Sequence, residues 1–373
     1  MRKILFCIPS LVGGGSERVF VHLMNNLDRE RYSVHLAVLR RRGDFLDNLR
    51  PDIAVHDLST DILGALFKMP SCIAEVQPDI ILSTICYMNM VVGFSRLVRR
   101  RSRTLFCARE SDIPSLMGKV SWSVWNASVF YITSYRFLDH VICQSEHMRD
   151  DVHKCYRVPF DKMVIINNPI DIDLIRENVG AANAEGFLPD KINIVAIGRL
   201  NYVKGYDMLF QAMARTTNKR LHLHMLGQGE LLKELTRLAG DLGIADRVTF
   251  HGFKPNPYPY MRAASAFVLS SRYEGFPNAV AEAQSLGCPT IAFNCPGGVR
   301  ELVEHGVDGF IVPFGDVDAL ARELDRGAYL SLDRDRIAER VLRRFDISAI
   351  LRQYEDLFGT DNAISRKGGL KQP

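Results

Sequence analysis

Two glutamates, Glu274 and Glu282, stand with seven residues between them in the stretch Ser270-Ser271-Arg272-Tyr273-Glu274-Gly275-Phe276-Pro277-Asn278-Ala279-Val280-Ala281-Glu282. Gly275 and Pro277 interrupt regular structure and Asn278 is a favoured helix N-cap, so the spacing predicts Glu274 on a turn and Glu282 just over one turn into a helix. Both carboxylates then border a helix start, whose unpaired N–H groups attract anions. A ligand that carries phosphates and hydroxyls together suits this arrangement, with amides taking phosphate and a carboxylate taking a diol. A nucleotide sugar is such a ligand. Taken alone, two glutamates at this spacing fit a solvated helix surface better, and their company has to decide.

That company begins upstream with Ile192-Asn193-Ile194-Val195-Ala196-Ile197-Gly198-Arg199-Leu200, an apolar strand pattern ending in Gly-Arg, followed by Lys204-Gly205 and an amphipathic helix pattern. Arg199 and Lys204 then stand at the carboxyl end of a strand, where open α/β sheets bind ligands. A guanidinium fork and an ammonium together clamp a diphosphate and stabilise it as it leaves. Near the start, Gly13-Gly14-Gly15 follows the first apolar run and opens a helix, yet neither the G-x-G-x-x-G nor the Lys-Ser/Thr fingerprint is present, which argues against a dinucleotide-binding dehydrogenase or a P-loop enzyme.

With these residues in view, the chain resembles glycosyltransferase family 4, a retaining, nucleotide-sugar-dependent group. The resemblance rests on Gly13-Gly14-Gly15-Ser16-Glu17-Arg18-Val19, Val164-Ile165-Ile166-Asn167-Asn168-Pro169-Ile170-Asp171, Gly198-Arg199-Leu200 with Lys204-Gly205, Leu226-Gly227-Gln228-Gly229-Glu230, Val248-Thr249-Phe250-His251-Gly252-Phe253, the paired glutamates, and Gly297-Gly298-Val299-Arg300-Glu301-Leu302-Val303 with Gly306 and Gly309-Phe310. Each pattern is weak, and their shared order and spacing are specific. The resemblance implies an α/β chain of the GT-B fold: two Rossmann-like doubly wound parallel-sheet domains facing across a cleft.

The resemblance also implies roles. Arg199 and Lys204 take the diphosphate, Glu282 the ribose hydroxyls, and Glu274 the region of the transferred sugar. Gly275, Phe276, Pro277 and Asn278 at the helix start, and the Gly297-Gly298 turn, become donor-binding candidates through their amides, with Gly14 and Gly15 approaching sugar and phosphate across the cleft or forming only a tight turn. Glu17, with its neighbours Ser16 and Arg18, either caps its helix or reaches the acceptor. The anomeric configuration is expected to be retained, with no cofactor and no divalent metal, the cations on the protein serving instead. Asp171-Ile172-Asp173 reads as a turn and helix cap, not a metal-binding acidic pair. The chain departs from many relatives at Arg109-Glu110, where a histidine directed at the donor sugar is common; these two residues become candidates for donor sugar or acceptor, or form an ordinary salt-bridged strand end.

The 373 residues, 47% of them hydrophobic, provide for two cores, and a net charge of +4 with no zinc-finger or RNA-binding signature gives no indication of a nucleic-acid partner. Eight cysteines without a C-x-x-C pair read as buried thiols of a reducing compartment. The first apolar run stops at Pro9, too short for a signal sequence or membrane span, so a cytoplasmic location is expected.

Strands are expected at 3–8, 33–39, 80–83, 103–108, 140–144 and 163–166, then from 192 and at 221–226, 247–251, 266–270, 290–292 and 309–312, with a first helix at 17–27. The organisation expected is an acceptor-side domain over 1–177, a linker over 178–190, a nucleotide-sugar domain over 191–345, a helix over 346–358 crossing back to the first domain, and a disordered tail over 359–373. Arg96-Leu97-Val98-Arg99-Arg100-Arg101-Ser102-Arg103 and the aromatic set Trp122, Trp125, Phe130, Tyr131, Tyr135 and Phe137 suit peripheral contact with the anionic inner membrane surface, or else a solvated loop and core aromatics. The function expected is transfer of a hexose or N-acetylhexosamine from a nucleotide donor, UDP-linked, to a lipid-linked or polysaccharide acceptor of a surface glycan. A transferase or synthase with a soluble acceptor is the alternative, and a non-catalytic nucleotide-sugar-binding protein a further one.

Overall fold

A computed structural model of the chain describes residues 1–12, 14–98, 103–117, 123–180 and 184–359. They form two compact units, one of Met1–Pro169 with the chain from Ile347 onward, the other of Ile170–Asp346.

The first unit is built on a seven-stranded sheet: β1 (Arg2–Ile8), β2 (Tyr32–Val38), β3 (Ala54–Asp57), β4 (Ile80–Thr84), β5 (Leu105–Arg109), β6 (His140–Cys143) and β7 (Met163–Ile165), in the order β3-β2-β1-β4-β5-β6-β7. All pairings are parallel. Such strands are apolar on both faces because helices cover both. β1 shows this with a period of two: Leu5 and Cys7 enter one core, Ile4, Phe6 and Ile8 the other. Three helices matter below: α1 (Gly15–Asn26), α2 (Ile62–Val76) and α3 (Cys86–Val98). The closing helix Ile347–Gly359 buries Ile350, Leu351, Tyr354, Leu357 and Phe358 in the same core as β1.

The second unit carries β8 (Ile192–Ile197), β9 (Leu221–Leu226), β10 (Val248–Gly252), β11 (Ala266–Leu269), β12 (Thr290–Phe293) and β13 (Gly309–Val312), in the order β10-β9-β8-β11-β12-β13. Ile194 and Ala196 of β8 face one core and Val195 the other.

The structure differs from the expected organisation in two places. The boundary falls at Pro169 and not at 177, because Ile172, Ile175 and Val179 of the Ile172–Val179 helix pack into the second unit's core. Within the stretch expected as a linker, Phe187 packs against the second unit, its ring centroid 4.2 Å from that of His224. β3 was not expected. It is a half-exposed edge strand whose four residues, Ala-Val-His-Asp, show too little apolar character to stand out. Asp171 caps its helix by accepting from Leu174 N at 3.0 Å, as a turn-and-cap reading requires. All eight cysteines are free, and seven are buried.

β9 and β10 hold a chain of histidines. Asn193 is oriented by Leu188, its Oδ1 accepting from Leu188 N at 3.1 Å and its Nδ2 donating to Leu188 O at 2.9 Å. His224 Nε2 therefore donates to Asn193 Oδ1 at 2.9 Å, leaving Nδ1 to accept from His251 Nε2 at 2.9 Å. Burial lowers the pKa of His222, His224 and His251, that of His224 to about 3. The unfolded chain takes up protons near pH 6.5 that these rings refuse, so stability is full above that pH and falls as the pH drops below it, by up to about 1.4 kcal/mol per pH unit per histidine. The urea midpoint is expected to fall between pH 7 and pH 5, and His224→Asn is expected to flatten that fall. Equal slopes in the two proteins would contradict this assignment.

Candidate functional site

In an open parallel sheet, ligands bind beyond the carboxyl ends of the strands where the strand order reverses. In the second unit that point lies between β8 and β11, which pair at Ala266 with Ile194 and at Phe267 with Val195. The segment after β8 carries Gly198, Arg199 and Lys204, and the segment after β11 carries Ser270 to Glu274.

These segments are fastened to each other. Ser270 Oγ donates to Lys204 O at 2.9 Å and Arg272 N donates to Val203 O at 2.7 Å. The Arg272 guanidinium forks onto Asp207 at 2.9 and 2.8 Å, donates to Tyr202 O at 2.8 Å, and lies 4.0 Å from the centroid of the Tyr202 ring. Gly205 has φ +61°, and a Cβ there would stand 2.2 Å from Ser270 O. The fastening brings the Lys204 ammonium to Glu274 Oε1 at 2.7 Å, the same oxygen that accepts from Ser271 Oγ at 2.6 Å. Gly198 is next to this pair, since a Cβ on it would lie 3.0 Å from Lys204 Cε. Arg199 is exposed and forms no ion pair among the described residues.

The Gly297-Gly298 turn meets the same place. Glu274 N donates to Pro296 O at 3.0 Å, and Glu274 and Gly297 form a parallel bridge. Gly297 has φ +122°, and a Cβ there would stand 1.5 Å from Glu274 O, so only glycine fits. Sequence reasoning missed the Arg272–Asp207 fork, 65 residues apart along the chain.

The helix after Glu274 runs Asn278–Ser285, with Pro277 at its cap position and no side-chain cap bond. Asn278 is thus the first helical residue and not the cap, because Pro277 supplies the fixed turn into the helix. Glu282 sits one turn in, half-buried. Phe276 does not offer its ring to a ligand: it is buried in the unit's core, edge-on to Phe345 at 5.5 Å. Gly275 is half-buried and Pro277 buried.

In the first unit, α1 begins at Gly15, and Gly14 holds the cap position in an extended conformation without a side-chain cap bond. Ser16 and Glu17 thus stand in the first turn of the helix and not at its cap position. Glu17 instead folds its carboxylate over Gly14, where a Cβ would meet Oε2 at 2.6 Å. Gly13 lies outside the described residues.

Arg109 and Glu110 are 1% and 0% exposed, so they are neither an open ligand-facing pair nor a surface ion pair. Glu110 accepts from Tyr135 Oη and, at 2.9 Å, from Asn89 Nδ2, while Ser83 Oγ donates to Asn89 Oδ1 at 2.7 Å. Arg109 donates to Thr84 Oγ1 at 3.3 Å and to Asn168 Oδ1. Burial raises the Glu110 carboxyl to about 7, against the opposing pull of its Tyr135 and Asn89 bonds.

Of the basic and aromatic stretches, 99–102 and 118–122 lie outside the described residues, and Arg103 is exposed. Arg96 folds back on the unit, donating to Thr104 O at 2.5 Å and lying over Phe106 at 4.8 Å. Tyr131 and Tyr135 are core residues, whereas Phe130 is exposed. Among the described residues no group of three His, Cys, Asp or Glu side chains is placed to hold a metal ion, and no helix is long and apolar enough to cross a membrane.

Two family descriptions match the chain in tandem: Glycosyltransferase Family 4 over residues 13–174 and Glycosyl transferases group 1 over residues 181–341. The chain belongs to glycosyltransferase family 4. The glycosyltransferase is 27% identical to the Campylobacter jejuni N-acetylgalactosamine-N,N'-diacetylbacillosaminyl-diphospho-undecaprenol 4-alpha-N-acetylgalactosaminyltransferase, over 87% of this chain and 89% of that one. It is also 27% identical to the Rhizobium meliloti lipopolysaccharide core biosynthesis glycosyltransferase LpsD, over 95% and 97% of the two chains. The solved structure of Anabaena HepE with UDP and glucose matches it with a TM-score of 0.81 at 22% identity, over 96% of this chain and 100% of that one, which supports the GT-B fold.

Proposed function

We propose that this glycosyltransferase moves a hexose or N-acetylhexosamine, with retention of anomeric configuration, from a UDP-sugar to a lipid-linked or polysaccharide acceptor in surface-glycan synthesis. The observation that carries the proposal is the convergence of Lys204, Glu274 and the Gly297 turn at the point where the second sheet reverses its strand order. The names of the Campylobacter and Rhizobium relatives support the surface-glycan context, and the HepE complex supports UDP as the nucleotide.

In this reading the Lys204 ammonium exchanges its Glu274 partner for the leaving diphosphate, joined by the exposed Arg199 guanidinium. Two cations fixed where negative charge grows lower the barrier more than they tighten ground-state binding. Glu274, released, turns its carboxylate to the hydroxyls of the transferred sugar, and Glu282 accepts from the ribose diol. The amides at the start of the Asn278–Ser285 helix and at Gly298 take phosphate or sugar oxygens. Because protein cations neutralise the diphosphate, turnover is expected to persist in chelator. Action at the cytoplasmic face of the membrane, with the exposed Arg103 and Phe130 in peripheral contact, belongs to the same proposal.

A binding screen of UDP-, GDP- and ADP-sugars tests it, with saturable binding expected for a UDP-sugar; binding of none, or of GDP- or ADP-sugars alone, would contradict the assignment. Glu282→Gln replaces an acceptor-only group by one with a single acceptor oxygen, so UDP affinity is expected to fall about tenfold. Unchanged affinity in that variant would remove Glu282 from the ribose.

A further inference from the structure

The first unit's sheet also reverses its strand order, between β1 and β4, where the segment after β1 leads to Gly14 and Gly15. A cavity of about 410 Å³ opens there, beyond the carboxyl ends of the strands. Its lining includes Ser10 after β1, Arg40 and Arg42 after β2, Thr60 and Asp61 at the start of α2, and Tyr87 in the first turn of α3.

The lining selects for charge. Two guanidiniums face a single carboxylate, and Asp61 is engaged in capping α2, its Oδ1 accepting from Gly64 N at 2.8 Å. Hydroxyls of Ser10, Thr60 and Tyr87 add hydrogen-bonding groups suited to phosphate oxygens.

A second observation concerns α2 itself. Leu63 and Phe67, one turn apart and directly following the residues that line the cavity, are 69% and 80% exposed. The other face of α2 buries Ala65, Met69, Cys72, Ile73 and Val76, so the helix is already anchored and this apolar pair is surplus to its packing.

We propose that this cavity holds the phosphate or diphosphate head of an amphiphilic acceptor whose apolar chain lies along Leu63 and Phe67. The inference rests on the glycosyltransferase reading above and adds to it the acceptor's chemical class and location. An anionic head alone would use the arginines and leave the apolar pair idle; an uncharged lipid would do the reverse. Only an anion bearing a chain uses both. The β1–β4 crevice also lies near Glu17, whose charge is felt by Tyr87.

The test uses the full chain saturated with UDP, so that the donor's diphosphate site is filled, and titrates geranylgeranyl diphosphate below its micelle concentration. Inorganic diphosphate and geranylgeraniol are the head-only and chain-only arms. The lipid diphosphate is expected to bind saturably and about tenfold or more tighter than either arm. Arg40→Ser with Arg42→Ser is expected to weaken it about tenfold or more while leaving UDP affinity unchanged. Leu63→Ser with Phe67→Ser is expected to remove the advantage of the lipid over inorganic diphosphate, with inorganic diphosphate bound as before. Both pairs are exposed, so the variants fold. Undiminished lipid binding in the arginine variant, equal binding of lipid and inorganic diphosphate, or no lipid binding by protein that binds UDP normally would each overturn the inference. Failure to bind UDP would instead overturn the donor reading, and the same arginine comparison without UDP would then decide the acceptor site.

Discussion

Lys204→Ala is expected to lower turnover about a hundredfold or more with donor saturating, and Arg199→Ala to do the same. The ammonium of Lys204 lies 2.7 Å from Glu274 Oε1, and in the proposed mechanism that contact is the resting state of a cation that serves the leaving diphosphate during reaction. Removing it takes away stabilisation that grows with charge on the leaving group, so kcat is expected to fall more than UDP affinity does. Folding should change little: the Lys204 and Glu274 side chains remain partly exposed, at 24% and 12%, and Ser271 still bonds Glu274 in the variant. Wild-type kcat in either variant would remove that residue from the diphosphate.

Gly297→Ala is expected to abolish measurable turnover by a different route. At φ +122° an L side chain is strained, at a cost of about 1–3 kcal/mol, before any clash is counted. The clash is with backbone, because the new methyl would stand 1.5 Å from Glu274 O and no rotamer change relieves it. The 274 and 297 segments must separate, breaking the bridge that holds Glu274 beside Lys204. The expected outcome is a lowered thermal midpoint together with lost UDP binding. Gly306→Ala serves as the control: it has a positive φ of +81° but nothing within 4 Å of its Cβ, so it shares the strain without the clash and should keep UDP binding. Normal UDP affinity in Gly297→Ala would mean that the turn does not shape the donor site.

The strands legible in the sequence are those buried on both faces, where a continuous apolar run bounded by Gly or Pro fits a parallel-sheet strand and little else. β3 escaped because an edge strand need be apolar on one side only. The pairing of Lys204 with Glu274 spans 70 residues, and no local pattern announces it; it was legible only as two separate motifs. Arg109 and Glu110 misled because two adjacent charges imply solvent unless their partners are known. Those partners, Asn89, Tyr135, Thr84 and Asn168, come from three other elements and the segment after β7. Asn278 was one residue off as a cap, the usual scale of error where Pro-Asn can place either residue at the helix boundary. Phe276 sits among small and turn-forming residues, and nothing local indicated that its ring anchors the turn in the core.

The most direct test of the central claim is the transfer of labelled sugar from UDP-hexose and UDP-N-acetylhexosamine, in chelator, to acceptor-bearing membrane extracts, followed by separation into organic-extractable and aqueous products and NMR of the new linkage. The account predicts label in the organic fraction, undiminished by chelator, with the anomeric configuration of the donor retained. Absence of label from every UDP-sugar in both fractions, loss of transfer in chelator, or an inverted linkage would contradict it.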